Sequence, residues 1–355
     1  MNMDWILECY PEYERLVEFD NIESKSEQQE IHGLKERTNT VCMFCGKPVK
    51  DWKKKETAHA ISECLGNKKL INYCECYECN HLFGEIAENH IGKFIMPYRI
   101  INEVYGKGTY KNVTRDMSED EELSYGTYRI EQKKNEPIFS SETFDVHNMI
   151  IEKEGTGIVT LNKEGFKISI PRQKYNPKMV YVSLLKMAYT LLPMTELEHY
   201  RKNISLLYFF ISKKPVYDEN GKQIIESACE SDREKYIDGL PNVGMEIKLS
   251  DPAIQNGVNV CLLKRTGKAE IAPQILFAIQ MKWYTIVIPI LSDDNTSENG
   301  KFKFVPSGNS TARVLDFNKI EDQFICDMAA DIVEIPKELY KKLEEDLKNS
   351  NLMRK

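Results

Sequence analysis

Two short cysteine knuckles constrain this chain more than any other feature: Cys42-Met-Phe-Cys45-Gly46 and, further along, Cys76-Tyr-Glu-Cys79-Asn80. Two residues between cysteines let both thiolates of a knuckle reach one ion, and two knuckles complete the tetrahedral four-thiolate shell that Zn2+ prefers. Cys42, Cys45, Cys76 and Cys79 are therefore the expected ligands of a structural zinc. Cys74 competes with Cys76 for the third place, and Cys76 is preferred because its spacing to Cys79 repeats that of Cys42 and Cys45. Six of the ten cysteines fall between positions 42 and 79, while Cys9, Cys229, Cys261 and Cys326 are scattered. Such clustering points to metal in a reducing compartment, not to a disulfide scaffold. Cys64 and the scattered cysteines read as small packed residues. Structural zinc contributes ~10 kcal/mol or more of apparent binding energy, enough to let a small module fold.

Between the knuckles lie Thr57-Ala58-His59-Ala60-Ile61-Ser62, then Leu65-Gly66-Asn67, then Asn72, with Asn80 directly after the last cysteine. The pattern C-x-x-C, A-H-x-I-S, L-G-N, C-x-x-C-N and F-G resembles the HNH endonucleases, more narrowly their bacterial branch with a four-cysteine zinc site. The resemblance covers residues 41–105. It implies a small zinc-bound ββα-metal, treble-clef-like module that cuts a phosphodiester. His59 would be the general base that deprotonates the attacking water. Asn72 would be the central asparagine that orients it, and Asn80 would ligate a divalent cation. A neutral imidazole suits proton abstraction near pH 7, and a hard cation such as Mg2+ or Mn2+ clamps the scissile phosphate and stabilises the leaving 3′ oxygen. Many members of the family place an acidic metal ligand just before the histidine, where this chain has Ala58. Glu88, on the same predicted helix as Asn80, is the favoured replacement, with Glu56 and Glu63 as the other carboxylates of the stretch. His81 and His90 are spare candidates that read as surface or structural residues. Trp52, Tyr73, Tyr77 and Phe83 read as packing for a small core before they read as base-stacking groups.

The formal net charge of −7 does not describe a nucleic-acid coat, yet affinity follows local stripes, not the sum. Lys47, Lys50, Lys53, Lys54, Lys55, Lys68 and Lys69 form such a stripe within the motif region. No apolar run has the ~18 residues of a membrane span, and Met1 to Arg15 lacks a secretory signal pattern. The expected location is the cytoplasm, with no membrane partner.

The expected organisation is a charged lead-in over 1–40 with one short helix, the HNH module over 41–105, an acidic linker over 106–125 and an α+β domain with antiparallel sheet over 126–355. Within the last, alternating runs flank a turn at Asn162–Gly165. A helix follows in PKMVYVSLLKMAYTLLP, stopped by Pro193, and a second is signalled by a capping box from Thr195 to Glu198. Its stripe Leu197, Tyr200, Ile204, Leu207 and Ile211 reads as core. Further strands lie in VGMEIKLS, GVNVCLLKR, QILFAIQMKW and YTIVIPIL, and a last helix begins at Pro336. The C-terminal domain carries no chemistry motif, so sensing a ligand, binding a protein partner or gripping DNA are its expected roles. The functional expectation is a metal-dependent endonuclease acting on DNA in preference to RNA, in a phage-defence or restriction setting by analogy. The competing expectation is a zinc-knuckle binding module, for nucleic acid or protein, whose catalytic site has decayed.

Overall fold

The computed structural model describes residues 3–23, 29–31, 41–49, 58–101, 104, 159–162, 165–212, 214, 216–217, 223–225, 240–249, 257–267, 273–290 and 310–329. Over these residues the chain is α+β. It divides into two compact units, each discontinuous in sequence. The first comprises Met1–Ile95, Val104–Lys107 and Tyr175–Ile320, and the second Met96–Glu103, Gly108–Lys174 and Glu321–Lys355.

The first unit begins with α1 (Trp5–Cys9) and β1 (Tyr13–Phe19). Periodicity did not mark β1, whose residues are mostly half-buried and carry three charges in seven positions. Its later strands are β8 (Val243–Leu249), β9 (Val258–Arg265), β10 (Ile275–Met281), β11 (Tyr284–Ile290) and β12 (Ser310–Asp316). With β1 as an edge strand they form a six-stranded antiparallel sheet in the order β1-β9-β10-β11-β8-β12. Four of these strands follow the apolar runs expected over 243–291. Every residue of β10 and β11 is buried, so both faces of the sheet centre are covered. On one face α1 packs Trp5, Ile6 and Cys9 against Cys261, Leu263, Leu276, Ala278 and Val287.

The alternate face, which carries Ile288, meets Phe317 and a long helix, α5 (Pro177–Leu191). Asn176 caps α5 through its side chain, which accepts the Lys178 N–H at 3.0 Å, and Pro177 occupies the first turn, where its missing N–H costs nothing. The Tyr181 hydroxyl of α5 donates to the Pro289 carbonyl at 3.1 Å. After Pro193 the chain turns helical again in α6 (Met194–Leu197) and α7 (Arg201–Ser212). The expected capping box does not form. Helix α6 starts one residue ahead of Thr195, with Pro193 at the cap and no side-chain cap bond. The stripe Leu197, Tyr200, Ile204, Leu207 and Ile211 is buried as expected. A small pair, β6 (Val216–Tyr217) and β7 (Gln223–Ile225), completes this part.

The knuckle region adds β2 (Gln29–Ile31) beside β3 (Leu70–Asn72), then α2 (Tyr77–Phe83), a π-helical turn (Gly84–Glu88) and α3 (Asn89–Phe94). Helix α3 is tied to the start of α5, because His90 Nδ1 accepts the Asn176 N–H at 3.0 Å. Only an unprotonated ring nitrogen accepts such a bond. Burial, joined by the charge of Lys93, holds His90 below the ordinary imidazole value. A histidine with a depressed folded pKa contributes stability that is present above its unfolded pKa and is lost as pH falls through the folded one. The melting temperature should therefore drop more for wild type than for His90→Gln below about pH 6.5, since the glutamine oxygen takes the same N–H without titrating. Parallel melting curves for the two proteins across that range would contradict this.

In the second unit α4 (Met96–Ile101) is followed by the antiparallel pair β4 (Val159–Asn162) and β5 (Gly165–Pro171), in which Asn162 stands opposite Gly165, the two ends of the stretch that signals a turn in the sequence. Strand β13 (Gln323–Ala329) pairs with β5. Arg172, fully buried, reaches the Tyr98 hydroxyl and Glu321. The acidic linker over 106–125 and the helix at Pro336 lie outside the described residues. No helix among the described residues is long and apolar enough to cross a membrane.

Candidate functional site

The first knuckle is a tight turn. Cys42 N–H donates to the Lys47 carbonyl, Gly46 N–H donates to the Cys42 carbonyl, and Gly46 takes a φ of 71°, which explains a glycine after the second cysteine. The second knuckle places Cys76 at the extended N-cap of α2 and Cys79 in its first turn. All four Sγ atoms, of Cys42, Cys45, Cys76 and Cys79, lie within 4.8 Å of one another and are buried. Cys45 and Cys76 sulfurs are 3.7 Å apart, which matches the ~3.8 Å edge of a tetrahedron of sulfurs ~2.3 Å from zinc. The Cys76 N–H points at Cys42 Sγ at 3.4 Å, a donor suited to a thiolate. Burial pushes Cys42 up and contacts with the other sulfurs push Cys79 up, while the same contacts pull Cys45 and Cys76 down. Four thiols this close ionise together only when a cation neutralises them. The donor set and its size fit a zinc ion. Phe44 and Phe83, 4.7 Å apart, close the knuckle's apolar side.

His59 stands between the knuckles in an antiparallel bridge with Ile71. Bonds on either side clamp its peptide: Asn72 N–H donates to the Ala58 carbonyl at 2.8 Å, and Ala60 N–H donates to the Leu70 carbonyl at 3.1 Å. The chain between the two segments turns through a 3-10 turn (Glu63–Leu65) and Gly66, whose φ is 89°. The turn brings Glu63 back, so that its Oε1 lies 3.0 Å from His59 Nε2. The imidazole is about one-fifth exposed, at 22%.

Asn67 organises this loop. Its Oδ1 accepts the N–H groups of Lys69 and Leu70, and its Nδ2 donates to the carbonyls of Ile61 at 2.7 Å and Leu70 at 2.9 Å. Both amide hydrogens are thus committed, and the 3.4 Å approach of Nδ2 to His59 Nδ1 is a weak third contact. Sequence reasoning missed Asn67 as an individual residue. Its signal is a glycine-asparagine pair just after the histidine segment, the chemistry of a left-handed turn with side-chain bonds to backbone.

The structure turns Asn72 toward the second knuckle. Its Oδ1 accepts the Cys74 N–H at 2.9 Å, and its Nδ2 donates to Glu75 Oε2 at 3.3 Å. Asn80 follows Cys79 in α2 and is half-buried. Glu88 ends the π-helical turn and binds Lys186 of α5, Oε1 to Nζ, at 2.7 Å. Glu75 Oε1 lies 3.0 Å from the same ammonium, and the side chains of Lys186 and Glu75 are both essentially inaccessible. Lys186 Nζ also sits over the Phe83 ring. Burial pulls the Lys186 ammonium down, but the two carboxylates more than offset it and hold it above the ordinary lysine range. Burial pushes Glu75 up against the pull of Lys186. Removing one partner of such a buried group costs ~3–5 kcal/mol.

His81 is exposed, bound to Glu85 at 3.2 Å and stacked parallel to the exposed Tyr77 ring. Phe83 is core. Of the lysine stripe, Lys47, Lys68 and Lys69 are described. Lys50, Lys53, Lys54 and Lys55, with Trp52 and Glu56, lie outside the described residues. Among the described residues the four cysteines are the only cluster of three or more His, Cys, Asp or Glu donors placed to hold one ion. Compared with known protein families, with curated proteins and with solved structures, the chain finds no match.

Proposed function

We propose that this chain is an HNH endonuclease that hydrolyses phosphodiester bonds in DNA, with zinc in the Cys42–Cys45–Cys76–Cys79 cluster and His59 as general base. The observation that carries the reading is the setting of His59 between the two knuckles: clamped to β3, its Nε2 held by Glu63 and its Nδ1 beside Asn67. A histidine fixed in this way has the tautomer of a base. The Nε2–H is donated to the Glu63 carboxylate, which leaves the Nδ1 lone pair to take a proton from water. The oxygen of that water attacks phosphorus, the bond from phosphorus to the 3′ oxygen breaks with its electron pair going to that oxygen, which takes a proton from solvent water to become the 3′ hydroxyl, and the proton held on Nδ1 returns to solvent. Strand β3 and helix α2 follow His59 in the order expected of a ββα-metal site.

Among the described residues the Glu63 carboxylate is engaged by His59 and the Glu88 carboxylate by Lys186. A catalytic Mg2+ or Mn2+ would be held by Asn80, with the balance of its ligands drawn from substrate phosphate and water. When bound, it supplies charge neutralisation at the leaving oxygen. The competing reading, a zinc-stapled binding module without catalysis, is favoured by one observation, the absence of an acidic donor at Ala58.

The test is nicking of supercoiled plasmid by the purified zinc-bound chain with Mg2+ or Mn2+. Open-circle product that DNA ligase reseals is expected, since loss of the 3′ oxygen leaves a 3′ hydroxyl and a 5′ phosphate. Bound but uncut plasmid would favour the binding module. Within the enzyme reading, Glu63→Gln should lower kcat about 10–100-fold with KM little changed, because the amide holds the imidazole without its charge. An unchanged kcat would remove Glu63 from the mechanism.

A further inference from the structure

We propose that Lys186, on the long helix α5, is a positioning residue for His59, so that the nuclease site is completed by α5 and is not confined to the knuckle segment. The inference rests on the nuclease reading for its consequence in catalysis, but its geometric content is independent of it. Helix α5 is apolar and buried along its length, with Lys186 the single charged residue in its buried centre. An apolar residue there would satisfy the core at no desolvation cost, so an ammonium in that place calls for a purpose other than packing.

From Lys186 a chain of one ion pair and two hydrogen bonds runs to the peptide just before His59. The ammonium holds Glu75 at 3.0 Å. Glu75 receives Asn72 Nδ2 at 3.3 Å, and the Asn72 peptide N–H holds the carbonyl of Ala58, the residue before His59, at 2.8 Å. The same ammonium holds Glu88 at 2.7 Å, in the π-helical turn that prolongs α2. A π turn inserted in a helix re-aims its side chains, and here it supplies the second carboxylate. The next residue of α5 makes an independent contact with the histidine loop, since the Ser62 N–H points at Met187 Sδ at 3.4 Å. Two neighbouring residues of one helix therefore bear on the loop that carries His59 and Glu63, Met187 directly at Ser62 and Lys186 through Glu75 and Asn72. At its other end α5 is fixed to the sheet through Tyr181 and Pro289. Lys186 thus references the base to the helix that is bonded to the buried strand β11, and a small displacement of a catalytic base costs rate out of proportion to its size.

The experiment uses the full zinc-bound chain with 15N-labelled histidine. Lys186→Met is compared with Lys186→Met/Glu75→Leu, which leaves no stranded carboxylate at Glu75. Zinc content and melting report the fold, and the His59 15N and ring-proton signals report its tautomer and setting. The double variant is expected to fold and keep zinc while the His59 signals shift or broaden, and kcat for nicking falls about 10–100-fold with KM unchanged. Folded, zinc-loaded variants with wild-type His59 signals and kcat would overturn the proposal. So would loss of fold in both, which would make Lys186 a residue of the core alone. If wild type does not cut but the His59 signals still move in the double variant, the positioning role stands and the nuclease reading falls.

Discussion

Cys42→Ser, or removal of metal by a strong chelator, should unfold the segment from the first knuckle through α2 while the six-stranded sheet persists. Zinc binding supplies ~10 kcal/mol or more to small domains, comparable with the whole ~5–15 kcal/mol stability of a native protein. Without it, four buried thiols face each other with nothing to bind. Among the described residues the first knuckle is otherwise held by a bridge between Val41 and Pro48, the turn bonds around Gly46, the Met43 N–H donated to the Cys74 carbonyl at 2.8 Å and the Phe44–Phe83 contact, most of them local or within the knuckle region itself. The sheet has its own core, built from α1 and strands β8 to β11. Hydrogen exchange read by mass spectrometry should therefore show protection lost over 41–83 and kept over 258–290. Wild-type exchange and melting in metal-free protein would show that the cysteine cluster stabilises nothing.

His59→Ala should cost about 10²–10⁴-fold in kcat, the usual contribution of a general base. It should leave zinc content and melting close to wild type. The ring is partly exposed, and its named partners are the Glu63 carboxylate and a long contact to Asn67. The backbone bonds that flank it do not involve the side chain. A variant that loses fold along with activity would point instead to a structural histidine. One that keeps activity would require a different base.

The four-cysteine cluster was legible in the sequence because metal spacing is local: two residues between cysteines determine what both sulfurs can reach. The central strands and α5 were legible because long apolar runs leave few alternatives. Strand β1 was not, since an edge strand with Glu14, Arg15 and Glu18 does not alternate cleanly. The false capping box at Thr195 had the right residues one position inside a helix that Pro193 had already started. At the site, His59 stood out by its bracket of cysteines, whereas the parts that hold it did not. Asn67 acts through four backbone bonds that exist only once the loop is closed. Glu88 looked available from its helical spacing to Asn80. Its partner Lys186 lies 98 residues away and is brought to it by tertiary packing alone. The visible trace of that packing was a lysine in the middle of an apolar helix.

Catalysis by His59 is read in a single-turnover time course of plasmid cleavage in Mg2+ by wild type and His59→Ala, matched for zinc content and melting temperature. Wild type is expected to convert plasmid to nicked product, and the variant to do so at a rate lower by about 10²-fold or more. Equal rates, or no product from the folded, zinc-loaded wild type, would contradict catalysis by His59.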